Sequence, residues 1–268
     1  MHAETALRRA LAIDPDQSLA HKFYAALEAD MGCAEGAVVR LVREAARRSN
    51  DPELFAGLVH ALRYCGLYDE AVAAHVEARR LDPHVATSLE QTLLMAGDID
   101  QLLAVEHPTS GGGDEGIRIM GLGLAGRREE ALAFVDTVRE RLRLPAFQVW
   151  GEYLIAWLQR DIDAMLKRMR NLGAYKVQND PEAIFLQGWM ACDVGQYEVG
   201  LEYLQRAVAR GYSAAPTLAN SRHFDALRSS PVFKATLADA EAGRRHALVA
   251  FREAGGERLV GRAPVDQP

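Results

Sequence analysis

The sequence contains few β-branched residues, few cysteines and no long apolar run. Its 268 residues include only 7 Ile and 7 Thr, against 44 Ala and 32 Leu. This balance favours helices over sheets, because Ala and Leu lose little side-chain freedom in a helix. The three cysteines, at positions 33, 65 and 192, are odd in number and widely separated. They indicate a reducing, cytoplasmic setting and argue against a disulfide framework.

The charge and hydropathy pattern excludes two classes of partner. No apolar run approaches the roughly 18 residues that cross a bilayer, and residues 1–16 form an interrupted amphipathic pattern, not the apolar block of a signal peptide. The net charge is −6, so the basic footprint of a nucleic-acid-binding protein is missing. We therefore expect no membrane and no nucleic-acid partner.

Proline recurs at long, fairly even intervals, and helical pattern without proline fills the space between. Such spacing is expected where each proline begins or ends a helix. The regular prolines are Pro15, Pro52, Pro83, Pro108, Pro145, Pro181 and Pro216.

A second set of markers falls midway between the prolines. These markers are Gly32, Gly66, Asp98, Gly126, Asp161 and Gly195. Most are followed five residues later by a small residue, namely Ala37, Ala71, Ala131 and Gly200. A glycine permits a tight turn and a small residue lets two helices approach closely, so each marker predicts a turn inside a helical pair. At Asp98 and Asp161 we expect the aspartate to cap the second helix in place of a turn glycine.

This repeat period of about 34 residues resembles that of the tetratricopeptide repeat. One unit follows the family's spacing through Phe55, Leu58, Val59, Leu62, Gly66, Ala71, Ala78 and Pro83; others read Trp150, Tyr153, Leu154, Trp157, Asp161, Leu166 and Ile184, Gly188, Ala191, Gly195, Gly200, Leu204, Ala207. The opening Ala3, Leu7, Ala10 and Pro15 are similar to the second helix of a unit whose first helix is absent. The resemblance implies an all-α fold, a right-handed α–α superhelix of about six helical pairs closed by a long C-terminal capping helix.

The proline, glycine and aspartate markers divide the chain into five segments. We expect a front block of repeats at 1–107, a glycine-rich loop at 108–116, a rear block at 117–215, C-terminal capping helices at 216–256 and a flexible tail at 257–268. In the capping segment Ser230 is the predicted N-cap and Pro231 the first helical residue. The glycine pair at 255–256 is expected to end that helix.

By the geometry of the family, the first helix of each pair lines a concave wall. The implied groove residues are Lys22, Ala26, His60, Arg63, Tyr64, Met120, Gln148, Ile155, Gln159, Phe185, Trp189 and Asp193. Tyr64 and Trp189 suit a peptide-binding groove, since such residues dominate binding hot spots; ordinary core packing is the open alternative. The resemblance implies a non-catalytic interaction or scaffold module that binds a protein or peptide.

The segment that starts at Phe224, F-D-A-L-R-S-S-P-V-F-K, resembles the ends of repeat modules in larger bacterial regulators. Those modules follow serine/threonine kinases, nucleotide cyclases or winged-helix domains. The resemblance implies that the chain is the regulatory arm of such a protein or a stand-alone descendant of one.

The competing hypothesis is a nucleotide-binding enzyme built on the G-x-G-x-x-G sequence at 121–126. That motif requires a strand before the glycines and a helix after them. We instead expect Gly126 to be another turn glycine, with Gly121 and Gly123 inside a helix. No histidine pair has metal-ligand spacing and no G-x-S-x-G elbow occurs, so we predict no catalytic, cofactor-binding or metal-binding residue.

Overall fold

The structure is a computed structural model that describes residues 2–105, 113–138, 145–172 and 180–261. Within these ranges every regular element is a helix and no strand occurs, which confirms the all-α class. No helix in the described ranges is long and apolar enough to cross a membrane.

The elements follow one another along the chain with short connections. The helices are α1 (His2–Ile13), α2 (Ser18–Asp30), α3 (Ala34–Arg47), α4 (Pro52–Tyr64), α5 (Tyr68–Leu81), α6 (Leu89–Ala96), α7 (Ile99–Ala104), α8 (Gly113–Leu124), α9 (Arg128–Val138), α10 (Pro145–Leu158), α11 (Ile162–Leu172), α12 (Pro181–Asp193), α13 (Tyr197–Ala209), α14 (Ala215–Asn220), a 3₁₀ helix (Arg222–Leu227), α15 (Pro231–Glu253) and α16 (Gly256–Leu259).

From α2 to α13 successive helices pack in pairs, α2 with α3 and so on to α12 with α13. The bend inside most pairs is made by a glycine in the left-handed region, namely Gly32, Gly66, Gly97, Gly126 and Gly195. The fifth pair uses Arg160 instead, with φ 57°. The predicted glycine bends are confirmed.

The prediction for the two aspartate markers is correct only in part. Each caps the second helix as predicted, since Asp98 accepts from the Gln101 amide at 3.2 Å and Asp161 from the Ala164 amide at 3.0 Å. However, the turn at Asp98 is still made by a glycine, Gly97 one residue earlier. An aspartate side chain caps a helix but does not supply the left-handed backbone of the bend.

The predicted small residues lie where two helices of a pair touch. Ala37, Ala71 and Ala131 are fully buried. A Cβ built on Gly200 would lie 2.3 Å from the Cys192 sulfur, so only glycine permits that separation of α12 and α13. The packing positions of the repeat predict that Phe55, Trp150, Tyr153 and Trp157 form the core; Phe55, Tyr153 and Trp157 are buried, and Trp150 is half-buried and packs against the core.

The C-terminal helices reach beyond the last pair. Ser230 caps α15 and Pro231 opens it, as predicted, but α15 packs on both α13 and α3, and α16 also packs on α3. Gly243 does not interrupt α15; a Cβ there would lie 2.3 Å from the Ser213 hydroxyl oxygen. The C-terminal segment therefore joins the last helix pair to the first.

Two predicted boundaries fall partly on residues that the structure does not describe. Of the predicted loop 108–116, residues up to 112 lie outside the described ranges, while 113–116 form the first turn of α8. Of the predicted tail 257–268, residues 257–259 belong to α16 and 262–268 lie outside the described ranges.

The close approach of Ser213 to Gly66 predicts that two of the bend glycines differ in how well they tolerate a side chain. Both Gly66 and Gly97 have positive φ, but a Cβ on Gly66 would lie 2.1 Å from the Ser213 carbonyl oxygen, whereas a Cβ on Gly97 meets nothing within 4 Å. We expect Gly97→Ala to lower the free energy of unfolding by about 1–2 kcal/mol, the cost of left-handed backbone. Gly66→Ala should cost clearly more, since Ser213 must move away from its hydrogen bond to Tyr64. Urea denaturation of both variants measures the free energy of unfolding. Equal losses in the two variants would contradict the close contact between Gly66 and Ser213.

Candidate functional site

The predicted groove residues do not form one exposed wall. Five are buried: Arg63, Tyr64, Met120, Phe185 and Trp189. Five are half-buried: Lys22, Ala26, His60, Ile155 and Asp193. The remaining two, Gln148 and Gln159, are exposed. The expected open wall at Tyr64 and Trp189 therefore needs correction, and two polar networks give the physical reason.

The first network is a buried ion pair between α4 and α12. Arg63 Nε donates to Glu182 Oε1 at 2.6 Å, and its second terminal nitrogen donates to Glu182 Oε2 at 3.0 Å. The Tyr212 hydroxyl donates to Glu182 Oε1 at 2.7 Å, and Arg63 also reaches the Ser88 hydroxyl at 2.6 Å. Arg63 is only 1% exposed. Burial alone would lower its pKa, but the carboxylate of Glu182 outweighs burial and raises it.

A tyrosine hydroxyl next to this pair lies between two carboxyl groups. Tyr64 Oη is 2.9 Å from Asp30 Oδ1 and 2.9 Å from Asp180 Oδ1. One hydroxyl has one proton to donate, so a second proton is needed if both contacts are hydrogen bonds. Burial, together with the charges of Glu182 and Asp30, raises the pKa of Asp180 to about 7. Below about pH 7, Asp180 therefore carries the second proton that this arrangement needs.

The second network is centred on Asp193, at the end of α12. Its carboxylate accepts from Trp157 Nε1 at 2.8 Å and from the guanidinium of Arg128, and it lies 3.3 Å from His223 Nε2. Trp189 Nε1 donates to His223 Nδ1 at 3.1 Å, which places the histidine proton on Nε2, toward Asp193. Burial would raise the pKa of Asp193, but its bonds to His223 and Arg128 outweigh burial and lower it.

These networks join helices that are far apart in sequence. Residues implied to face a partner, such as Tyr64 and Trp189, instead make their polar contacts within the chain. Sequence reasoning missed the opposing residues Asp180, Glu182 and His223. The D-P-E sequence at 180–182 signals a helix start, with Asp180 as N-cap, but nothing in it indicates a partner more than 100 residues away.

The glycines of the G-x-G-x-x-G sequence serve helix packing. Gly121 and Gly123 lie inside α8. A Cβ on Gly121 would lie 2.6 Å from a Leu102 methyl, and one on Gly123 would lie 2.3 Å from the Trp157 ring. Gly126 makes the bend after α8. No phosphate-binding turn is formed between Gly121 and Gly126, and the described residues contain no group of three His, Cys, Asp or Glu side chains that could hold a metal ion.

Exposed large apolar side chains are concentrated at the start of the chain. Ile13 is 76%, Phe23 56%, Met31 52% and Leu19 44% exposed. Leu19, Phe23, Leu27 and Met31 follow one another at four-residue steps, so they form one stripe along α2 and its C-cap; we call these four residues the front face. Helix α1 packs against α2 but leaves Leu19, Phe23 and Met31 exposed, and Leu27 is half-buried.

Comparison with known proteins does not assign the chain to a family. No protein-family model matches the chain, and no curated protein matches it. The function is therefore argued from the contacts and exposed surfaces of the chain itself.

The buried ion pair predicts a large effect from a small change. Glu182→Gln would leave the guanidinium of Arg63 buried without its counter-charge, and breaking one partner of a buried pair costs about 3–5 kcal/mol. Glu130→Gln is the control, because it breaks the exposed pair with Arg127 (2.6 Å), which is worth at most about 1 kcal/mol. Chemical denaturation of both variants checks this. Similar losses would show that Arg63 and Glu182 do not hold the helices together.

The raised pKa of Asp180 predicts a pH dependence of stability. An unfolded aspartate releases its proton near pH 3.9, whereas folded Asp180 holds it to about pH 7. The folded state binds more protons between these values, so this contribution to stability falls as pH rises from about 4 to 7. Asp180→Asn keeps a capping oxygen and removes the titration. We expect it to be more stable than the native chain at pH 8, with a smaller loss between pH 5 and 8.

Asp161→Asn is the matched control for this measurement, because Asp161 also caps a helix but is exposed. Denaturation curves at pH 5 and pH 8 for the three chains are sufficient. If the stability of the native chain changes across this interval by the same amount as that of Asp180→Asn, the buried proton is contradicted.

Proposed function

We propose that this chain is a non-catalytic protein-interaction module whose helix pairs are tetratricopeptide-like repeats arranged as a right-handed solenoid. The left-handed bends within the pairs and the buried small residues Ala37, Ala71, Ala131 and Gly200 in four of them support this proposal. The module is cytoplasmic in this proposal, in keeping with its three unpaired cysteines. On the resemblance at Phe224, it serves as the regulatory arm of a bacterial signalling protein.

The front face is the docking surface in this proposal, and the chain's own repeat supplies the argument. The bends Gly32 and Gly66 are 34 residues apart in sequence, so Phe23 corresponds to Gly57, Leu27 to Ala61 and Met31 to Cys65. A Cβ on Gly57 would lie 3.3 Å from the Lys22 Cα, so α2 covers this face of α4. Ala61 and Cys65 are buried as well.

The same face of α2 has no helix over it among the described residues. Where α4 carries small residues under α2, α2 carries large apolar residues that remain half or more exposed, such as Phe23 and Met31. Burying a side chain of this size stabilises a complex by about 1.5–3 kcal/mol before the costs of association. The single observation that carries the proposal is this contrast between two equivalent faces of one chain.

The expected occupant is an amphipathic α-helix of a partner protein that packs on the front face as α2 packs on α4. The backbone of α2 at Lys22 comes close to Gly57 of α4, and α2 carries two fully buried alanines, Ala25 and Ala29. Helix-in-groove recognition of this type is common in protein complexes.

The test uses a helix-stabilised, fluorescently labelled peptide of residues 18–31 as the probe, since α2 is the helix that covers the equivalent face. We expect saturable binding to the full chain, followed by fluorescence anisotropy. Phe23→Ser should weaken binding about tenfold or more, which is about 1.4 kcal/mol. Val76→Ser is the control, because Val76 is also exposed, at 60%, but lies on α5.

Two outcomes would overturn the proposal. Equal binding by both variants would remove the front face as the site, and the absence of saturable binding would remove a helix as its occupant. Sedimentation of the unliganded chain tests the competing occupant, a second copy: a dimer that Phe23→Ser abolishes would replace the helix.

A further inference from the structure

A pocket of about 440 Å³ lies between the ends of several helices, a volume typical of small-molecule sites. It is bordered by the C-terminal ends of α6 and α8, by α12, and by α14 with the 3₁₀ helix that follows it. These elements come from the front, middle and end of the chain, so the pocket exists only because the C-terminal segment packs back on the helix pairs. It is separate from the front face on α2.

One side of the pocket is apolar. Met95 and Leu124 form part of the inner surface, with Ile99 and Pro216 beside them. Met95 and Leu124 are almost fully buried, at 1% and 4% exposure, whereas Ile99 and Pro216 are half-buried. Ile99 and Pro216 are therefore the apolar lining residues whose exposed area a ligand would remove from water.

The opposite side carries polar groups, of which one is charged and unpaired. Asn220, Ser221 and Arg222 lie together at the rim. No acidic side chain lines the pocket, and among the described residues the exposed Arg222 has no ion pair or hydrogen bond from its guanidinium. Its terminal nitrogen is 3.9 Å from the position of a Cβ on Gly126, which follows the lining residue Ala125 in sequence.

The other polar groups of the lining are already engaged. His223 accepts from Trp189 with one ring nitrogen and faces Asp193 with the other. The Thr217 hydroxyl is bonded to Tyr68 and to the Met95 carbonyl oxygen. Arg222 therefore dominates the charge that a ligand meets.

Helix ends of both signs border the pocket. The C-terminal ends of α6, α8 and α14 present partial negative charge, and the N-terminal ends of α7 and of the 3₁₀ helix present partial positive charge. Arg222 is the lining side chain that carries a full charge. A carboxylate or phosphate is the group that a guanidinium binds best.

We propose that this pocket binds a small organic anion with an apolar body, its charged group on Arg222 and its apolar part against Ile99 and Pro216. The ligand class follows from one unpaired cation, amide and hydroxyl groups at the rim, and an apolar interior. This site does not depend on the interaction function proposed above.

The experiment compares three probes with the same eight-carbon chain: octanoate, octyl phosphate and the neutral octanol. Isothermal titration of the full chain measures binding. We expect saturable binding of at least one anion, about tenfold or more tighter than octanol, since a charge-assisted hydrogen bond is lost in the neutral probe. The tighter of the two anions identifies the head group.

Two variants locate the binding. Arg222→Gln should weaken binding of the anion about tenfold and leave octanol unchanged, whereas Arg43→Gln, an exposed arginine on α3, should leave both unchanged. Ala125→Trp fills the pocket from its exposed rim and should abolish binding of every probe while thermal unfolding stays cooperative.

The proposal is overturned if no anion binds saturably or if octanol binds as tightly as the anions. It is also overturned if binding persists unchanged in both Arg222→Gln and Ala125→Trp. That last result would place the probes on another apolar surface, such as the front face.

Discussion

The buried pair of Arg63 and Glu182 is the interaction on which the rest of the structure depends. It joins α4, in the second helix pair, to α12, in the last, and the charge of each partner is compensated only in that arrangement. A charge taken out of water without its partner is so costly that the two helices are fixed together. The Ser213 amide donates to the Tyr64 carbonyl oxygen, next to Arg63 in the chain, and α15 packs on α3 in the first helix pair.

We call this contact of the second helix pair with the last one the closure. It decides which surfaces are available for binding. The resemblance implies a free wall of first helices, but α4 instead faces α12 through Arg63 and Glu182, and α6 packs on α14. Tyr64 and Trp189 are therefore structural, and three exposed large apolar side chains, Leu19, Phe23 and Met31, lie together along α2 and its C-cap. The pocket beside Arg222 has the same origin, since helix ends that meet from several directions do not fill the space between them.

The two proposed sites differ in chemistry and in what they depend on. The front face is an uncharged apolar stripe along one helix, present wherever α1 and α2 are folded. The pocket is assembled from distant parts of the chain and carries one cation, so it requires the closure. A protonation change at Asp180 lies next to that closure, whereas the front face has no titratable member.

The sequence by itself determined the local structure: the helical class, the bends at Gly32, Gly66, Gly126 and Gly195, the caps at Asp98, Asp161 and Ser230, and the core role of Phe55 and Trp157. These features depend on backbone preferences and periodicity within about 20 residues, which a single sequence records. Only the tertiary structure decided what faces the first helices. Nothing in the periodicity of α4 or α12 records that Arg63 meets Glu182, 119 residues away, because a buried arginine and one that lines a groove occupy the same position of the helical pattern. The pocket and the unpaired Arg222 were unpredictable for the same reason: both are products of contacts between distant segments.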